Sequence, residues 1–270
     1  MPRPIHIHLL PSHVRPEELD GAAVVVIDVL RASTTICHAL AAGAECVIPV
    51  ATVEQSLEIR AKIGSAKAIL GGERGGVKIE GFDLANSPGE YTPATVGGKT
   101  VIFTTTNGTQ AMERCRAARR ILIGAFANQS AVAVALREEP VVHLLCAGTQ
   151  GRVTREDTLF AGALASLLTE NNDDIDDRFV ATVAHTPVSE FAGPFVLATD
   201  EARIAVDAWR AAEREMAAGK PLAEILGQCQ GGRNAIRLGL FPDLAPTGAV
   251  DSITIVPTLN TRAWEIRSAS

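Results

Sequence analysis

Short continuous apolar runs, rather than strict apolar–polar alternation, dominate the chain. Residues 22–29, 46–50, 67–70, 100–104, 120–123 and 141–145 are each four to eight residues long, and this pattern predicts strands buried on both faces. Helical patterns separate them. Residues 33–42 read as a helix closed by Gly43, and a second helix runs from Thr52 to a stop at Gly64, with Gln55 completing a capping box. A third starts at Thr106 or Asn107 and reaches about residue 116, and a short one lies between the last two strands. Further on, helices are predicted over 156–169 and 199–218, another opens at Pro221, and a final strand is expected over 250–256. The acidic stretch 171–177 (NNDDIDD) reads as a solvated loop or hinge.

Alternating strands and helices predict the α/β class: a layered α/β/α arrangement around a mostly parallel or mixed sheet. The expected organisation is one domain over 1–270, with two α/β lobes of about 1–140 and 141–270 as the alternative division. No repeat of solenoid period is visible.

Composition narrows the function classes. The net charge is −6 and aromatic residues make up 4% of the 270, which argues against a nucleic-acid footprint and base-stacking platforms. The run 22–30 is too short to cross a bilayer and is interrupted by Asp28, so no membrane partner is expected. Residues 1–10 lack a signal-peptide core. The five cysteines are dispersed and form no C-x-x-C pair, which favours a reducing, cytoplasmic setting over a disulfide framework or structural zinc. An alanine-rich helical surface would suit a homodimer.

Candidate chemistry collects where three predicted strands end: VVVIDVLRAST, AILGGERGGVKIEGFDLANSPGE and VIFTTTNGTQ. Ligands of open α/β sheets gather at such carboxyl ends. Asp28 is either a helix-start residue or a metal ligand or base, since a carboxylate ending a buried run needs a partner. Arg31 offers a planar fork for phosphate oxygens, and Ser33 a hydroxyl beside it. In Gly71–Gly76 the glycines permit close backbone approach, with Glu73 expected on a metal and Arg74 on an anionic substrate. Asn86 continues that loop as a polar candidate, while Lys78 reads as solvated. Thr106, Asn107, Gly108 and Thr109 form either a simple cap or an oxyanion receptor.

Glu156 and Asp157 follow Thr154 and read equally as first-turn acids or magnesium ligands. Cys146 and Arg152 have the C-x5-R spacing of metal-independent cysteine phosphatases, although Leu145 stands where that signature carries histidine. His6 and His8 are expected to alternate along an N-terminal strand rather than bind zinc.

Together VIDVLRAST, GGERGG, FDLANSP, TTTNGT and the segment from Ala147-Gly148 to Glu156-Asp157 resemble the 2-phosphosulfolactate phosphatase family. The C-terminal match is looser, through Arg233-Asn234-Ala235, Leu238 and Asp251. The resemblance implies a distinct α/β fold and a magnesium-dependent phosphomonoesterase converting 2-phospho-3-sulfolactate to 3-sulfolactate in coenzyme M synthesis. It also implies a site drawn from Asp28, Arg31, Ser33, Glu73, Arg74, Asn86, Asn107, Gly108, Glu156 and Asp157. The expected partner is thus a small anionic phosphate ester and the expected cofactor Mg2+. A non-catalytic sensor of phosphorylated ligands is the alternative from another class.

Overall fold

The computed structural model describes residues 2–169 and 194–268, so the predicted acidic loop at 171–177 lies outside the described residues. Eleven strands among the described residues form one mixed sheet: β1 (Arg3–His8), β2 (Ala23–Ile27), β3 (Cys46–Pro49), β4 (Ala68–Arg74), β5 (Val77–Lys78), β6 (Thr100–Thr104), β7 (Arg120–Gly124), β8 (Val142–Cys146), β9 (Phe195–Leu197), β10 (Pro257–Asn260) and β11 (Glu265–Ser268). Their order is β5-β4-β6-β3-β11-β10-β7-β2-β8-β1-β9. Two parallel blocks, β4-β6-β3 and β7-β2-β8-β1-β9, are joined by the β10–β11 hairpin, which is antiparallel to β7 and β3.

The apolar runs are explained by the burial of both faces. All five residues of β2 are buried, with Val25 and Ile27 packed into one apolar cluster and Val24 and Val26 into the other. That alternation is the two-residue period of a strand covered on both sides. The first cluster includes Phe160 and Leu164 of the helix Arg155–Thr169 and Trp209 of the helix Asp200–Ala217. The second includes Ile36 of α1 (Ala32–Ala41) and Met112 of the helix Gly108–Arg114. The layered α/β/α expectation matches this arrangement.

Local signals placed most elements within two or three residues. Thr52 and Gln55 form the predicted capping box on α2 (Val53–Ile63), and the chain leaves at Gly64. His6 and His8 lie on β1 and share a face with His143 of β8, with His8 Nε2 2.9 Å from His143 Nδ1. The final strand predicted over 250–256 is not formed. Asp251 turns through φ 51°, its carboxylate accepts from the Ser130 amide (2.7 Å) and hydroxyl (2.6 Å), and the Ile253 amide donates to the Ala127 carbonyl. These bonds tie the segment to the turn before the helix Gln129–Leu136, and the chain joins the sheet only at β10.

Candidate active site

The polar ends of β2, β4, β6 and β8 meet the helix Gln230–Arg237 around a cleft of about 120 Å³. Asp28, Arg31, Glu73, Asn86, Thr106 and Asn107, all expected from sequence, line it. Thr149, Gln150, Asn234 and Arg237 complete its polar wall and were not singled out as site residues.

Asp28 follows β2 where the chain turns into α1. Its Oδ1 accepts from the Ala32 amide (3.3 Å), and its carbonyl accepts from the Ser33 amide (2.8 Å). Its own amide donates to Ser33 Oγ (2.9 Å). Ser33 therefore fixes Asp28, and its hydroxyl donates back to the Val26 carbonyl rather than into the cleft. Gly108 lets the neighbouring chain approach: a Cβ there would lie 2.9 Å from Asp28 Oδ2.

Arg31 is buried with Asp243. One guanidinium nitrogen donates to Asp243 Oδ2 (2.8 Å) and the other to the Gly76 carbonyl (2.8 Å), while the Ser87 hydroxyl donates to Asp243 Oδ1. A guanidinium carries five N–H donors, so others stay available to a ligand.

The glycine-rich loop is a two-residue hairpin turn between β4 and β5. Gly75 (φ 60°) and Gly76 (φ 87°) occupy the left-handed conformations that such a turn requires. Glu73 is held across it, with Oε2 accepting from the Gly76 amide (2.6 Å) and Thr106 Oγ1 (3.2 Å), and Oε1 accepting from the Thr106 amide (2.7 Å). Arg74, expected on the substrate, does not line the cleft. It donates to the carbonyls of Glu73 (2.8 Å) and Ala51 (2.9 Å) and to Thr104 Oγ1 (2.8 Å), which braces β4 against β6. The strand alternation that brings Glu73 into the cleft sends its neighbour elsewhere.

Asn86 is buried with no partner for Oδ1. Asn107 Oδ1 accepts from the Gln150 amide (3.1 Å), and Gln150 itself sits at φ 53°. Thr109 returns its hydroxyl to the Thr105 carbonyl (2.8 Å) inside the helix and faces away from the cleft.

Beneath the cleft lie Glu156 and Asp157 at the start of the helix Arg155–Thr169. Asp157 accepts from the Val29 amide (2.9 Å), the Gly148 amide (2.9 Å) and the Thr154 hydroxyl (3.0 Å), so it clamps the ends of β2 and β8. Glu156 Oε1 accepts from the Gly231 amide (2.9 Å), whereas Oε2 is buried without a partner. Burial, reinforced by Asp157, pushes the Asp28 carboxyl up to about 8. Asp157 rises to about 7 through burial and Glu156, and Glu156 is also raised, chiefly by burial. Three acids that resist ionising side by side make a pocket that favours a cation.

Among the described residues no three His, Cys, Asp or Glu side chains are placed so that together they could hold a metal ion. The donors that fit a divalent ion are two carboxylates, Asp28 and Glu156, the latter with its orphaned oxygen. Magnesium accepts such a pair, because it keeps water and takes phosphate oxygens for its remaining positions. Glu73 and Asp157, also expected as ligands, each have both oxygens accepting from protein donors.

Cys146 does not support the cysteine-phosphatase alternative. It is fully buried in β8, and burial, with Asp157 and Glu156 nearby, holds its thiol well above the usual range. Arg152 is exposed and does not line the cleft.

Comparison with known proteins places the chain among named relatives. A relative from Symbiobacterium thermophilum named probable 2-phosphosulfolactate phosphatase is 36% identical over 242 residues, covering 89% of this chain and 92% of its own. One of the same name from Carboxydothermus hydrogenoformans is 36% identical over 246 residues, covering 90% and 89%. Another, from Thermotoga petrophila, is 49% identical over 148 residues, covering 55% and 63%. No helix among the described residues is long and apolar enough to cross a membrane. The model of the 2-phosphosulpholactate phosphatase family matches residues 8–262, and the chain belongs to that family.

Proposed function

We propose that the protein is a magnesium-dependent phosphatase acting on a small anionic 2-phosphohydroxy acid, with 2-phospho-3-sulfolactate as the preferred substrate and 3-sulfolactate and phosphate as products. The observation that carries this reading is the meeting of Arg31 with Asp28 in one polar cleft, with the buried Glu156 bonded to the cleft residue Gly231 and electrostatically linked to Asp28, in a chain whose relatives bear that name. Asp28 and Glu156 would hold the metal. Bound there, magnesium supplies positive charge to the phosphate oxygens and to the charge that develops on them.

The protein's own groups provide the remaining parts. Arg31, fixed by Asp243, donates to phosphate oxygens, and the side-chain amides of Asn86 and Asn107 offer further donors along the wall. A water held against the buried carboxylates attacks phosphorus, and the bond from phosphorus to the substrate's C2 oxygen breaks. The water's proton is taken by a carboxylate at the cleft and ends on the departing oxygen. Glu73 acts by tying the Gly75–Gly76 turn to Thr106, which sets the cleft's width. Five free, buried thiols suit a reducing compartment, and the cytoplasm is the proposed location.

The test is phosphate release from 2-phosphosulfolactate and 2-phospholactate, with magnesium and then with excess chelator. Turnover abolished by chelator and restored by magnesium is expected. Turnover indifferent to chelator refutes the metal dependence, and none on either ester refutes the phosphatase reading.

A further inference from the structure

We infer that Arg237 determines specificity in this site by binding the second anionic group of the substrate, a carboxylate or sulfonate, while Arg31 serves the phosphate. The inference rests on the phosphatase reading and adds to it the residue that selects substrates by their acid tail.

A substrate with two anionic groups calls for two cationic positions. Arg31 and Arg237 are the cationic side chains that line the cleft among the described residues. Arg31 is locked by Asp243 and the Gly76 carbonyl, three residues beyond Asp28, so its fork is fixed beside the carboxylates. Arg74, the obvious second cation in the sequence, is committed to three acceptors outside the cleft. Arg237 is different. Its guanidinium makes a long hydrogen bond, 3.3 Å to Asn234 Oδ1 on the preceding turn of its own helix. No carboxylate pairs with it among the described ion pairs, so its fork remains open to a ligand.

Position supports the division of labour. At the start of the helix Gln230–Arg237, the Gly231 amide donates to Glu156, and a Cβ on Gly231 would meet Leu30 at 2.9 Å. Six residues further, about 9 Å along a helix axis, Arg237 leads to Leu238, whose side chain packs over Gly76. The helix therefore spans the cleft from the carboxylate end to the glycine turn and places its cation at the far end. Asn86, buried in the same wall, adds a side-chain amide whose Nδ2 can donate to an anionic group. A planar guanidinium suits the paired oxygens of a carboxylate or sulfonate, which a lysine meets only as a point charge.

The test compares wild type, Arg237→Ala and Arg237→Lys with magnesium on 2-phospholactate and on isopropyl phosphate, the same skeleton without the carboxylate. A parallel measurement takes inhibition constants for 3-sulfolactate and inorganic phosphate. For Arg237→Ala we expect KM for 2-phospholactate and Ki for 3-sulfolactate to rise about tenfold, the scale of one hydrogen bond to a charged group. Kinetics on isopropyl phosphate and Ki for inorganic phosphate should stay within about twofold, with Arg237→Lys between wild type and Arg237→Ala. Should isopropyl phosphate turn over too slowly to measure, the two inhibition constants decide. Unchanged constants, or equal losses with and without the acid tail, overturn the role of Arg237 while wild-type turnover keeps the phosphatase reading. Absence of wild-type turnover removes both.

Discussion

Arg31 and Asp243, 212 positions apart in sequence, form a buried ion pair at 2.8 Å that joins the first strand end of the cleft to the C-terminal part of the chain. The Ser87 hydroxyl and the Gly76 carbonyl complete the hydrogen bonding of the pair. Removing one partner leaves the other charge buried and unpaired. Asp243→Ala is therefore expected to destabilise the fold by about 3–5 kcal/mol and to lower kcat/KM by freeing Arg31 to move. The double change Arg31→Met with Asp243→Leu should cost less stability than Asp243→Ala alone, because it removes both charges together. Urea unfolding midpoints of the variants check this. Equal destabilisation in the single and double variants would contradict it.

Gly231 controls the orphaned carboxylate. An added Cβ would lie 2.4 Å from Glu156 Oε1, so Gly231→Ala must displace Glu156. Alanine gains about 1 kcal/mol of helix propensity over glycine, which offsets strain in the helix itself. The expected result is a modest change in melting temperature with a half-saturating magnesium concentration raised about tenfold or more, as when a partner of a metal ligand is lost. A magnesium titration of phosphate release measures it, and an unaltered titration curve would take Glu156 off the metal.

The three raised carboxyls give the metal-free protein a signed response to pH. Asp28, Glu156 and Asp157 hold protons in the folded state that they release when unfolded, where carboxyls titrate near 4. Their contribution to stability is thus full at low pH and is lost as pH rises from about 4 through about 8. Magnesium binds the ionised forms, so its stabilisation should grow over the same window. Thermal unfolding with and without magnesium is expected to show a larger increment near pH 8 than near pH 6. An increment independent of pH would separate these acids from the metal.

Local grammar made much of this molecule legible in the sequence. The capping box at Thr52 and the glycines at 75 and 76 act through near neighbours, and a reader of the chain can see them. Asp28 and Glu73 were legible because each carboxylate follows or ends a strand at the sheet's carboxyl edge. Asp243 and Arg237 were not, because their value comes from what they meet across the fold rather than from any local motif. Arg74 shows the converse limit: a cation next to a cleft residue on a strand belongs to the other face. The β10–β11 hairpin escaped notice because its strands are four residues each and carry polar side chains, while the apolar residues 253 and 255 before it pack with Cys37, Ala125 and Ala127 and 256 joins the main core.

Cys146 offers a direct test of where the chemistry is. Its thiol is fully buried, far from ionisation, and packed among core residues such as Ile27 and Leu144. A thiolate nucleophile needs the opposite surroundings: access to substrate and a nearby positive charge. Cys146→Ala removes the sulfur without adding a polar group, at a cost set by the small cavity it leaves, about 1 kcal/mol. Activity per folded molecule is expected to stay within about threefold of wild type, with the same chelator sensitivity, since a factor of ten would need about 1.4 kcal/mol at the transition state. Cys146→Ser is the more disruptive change, because it buries a hydroxyl that must find a partner in an apolar strand. Loss of turnover in a folded Cys146→Ala protein would overturn this assignment and return the reaction to the thiol.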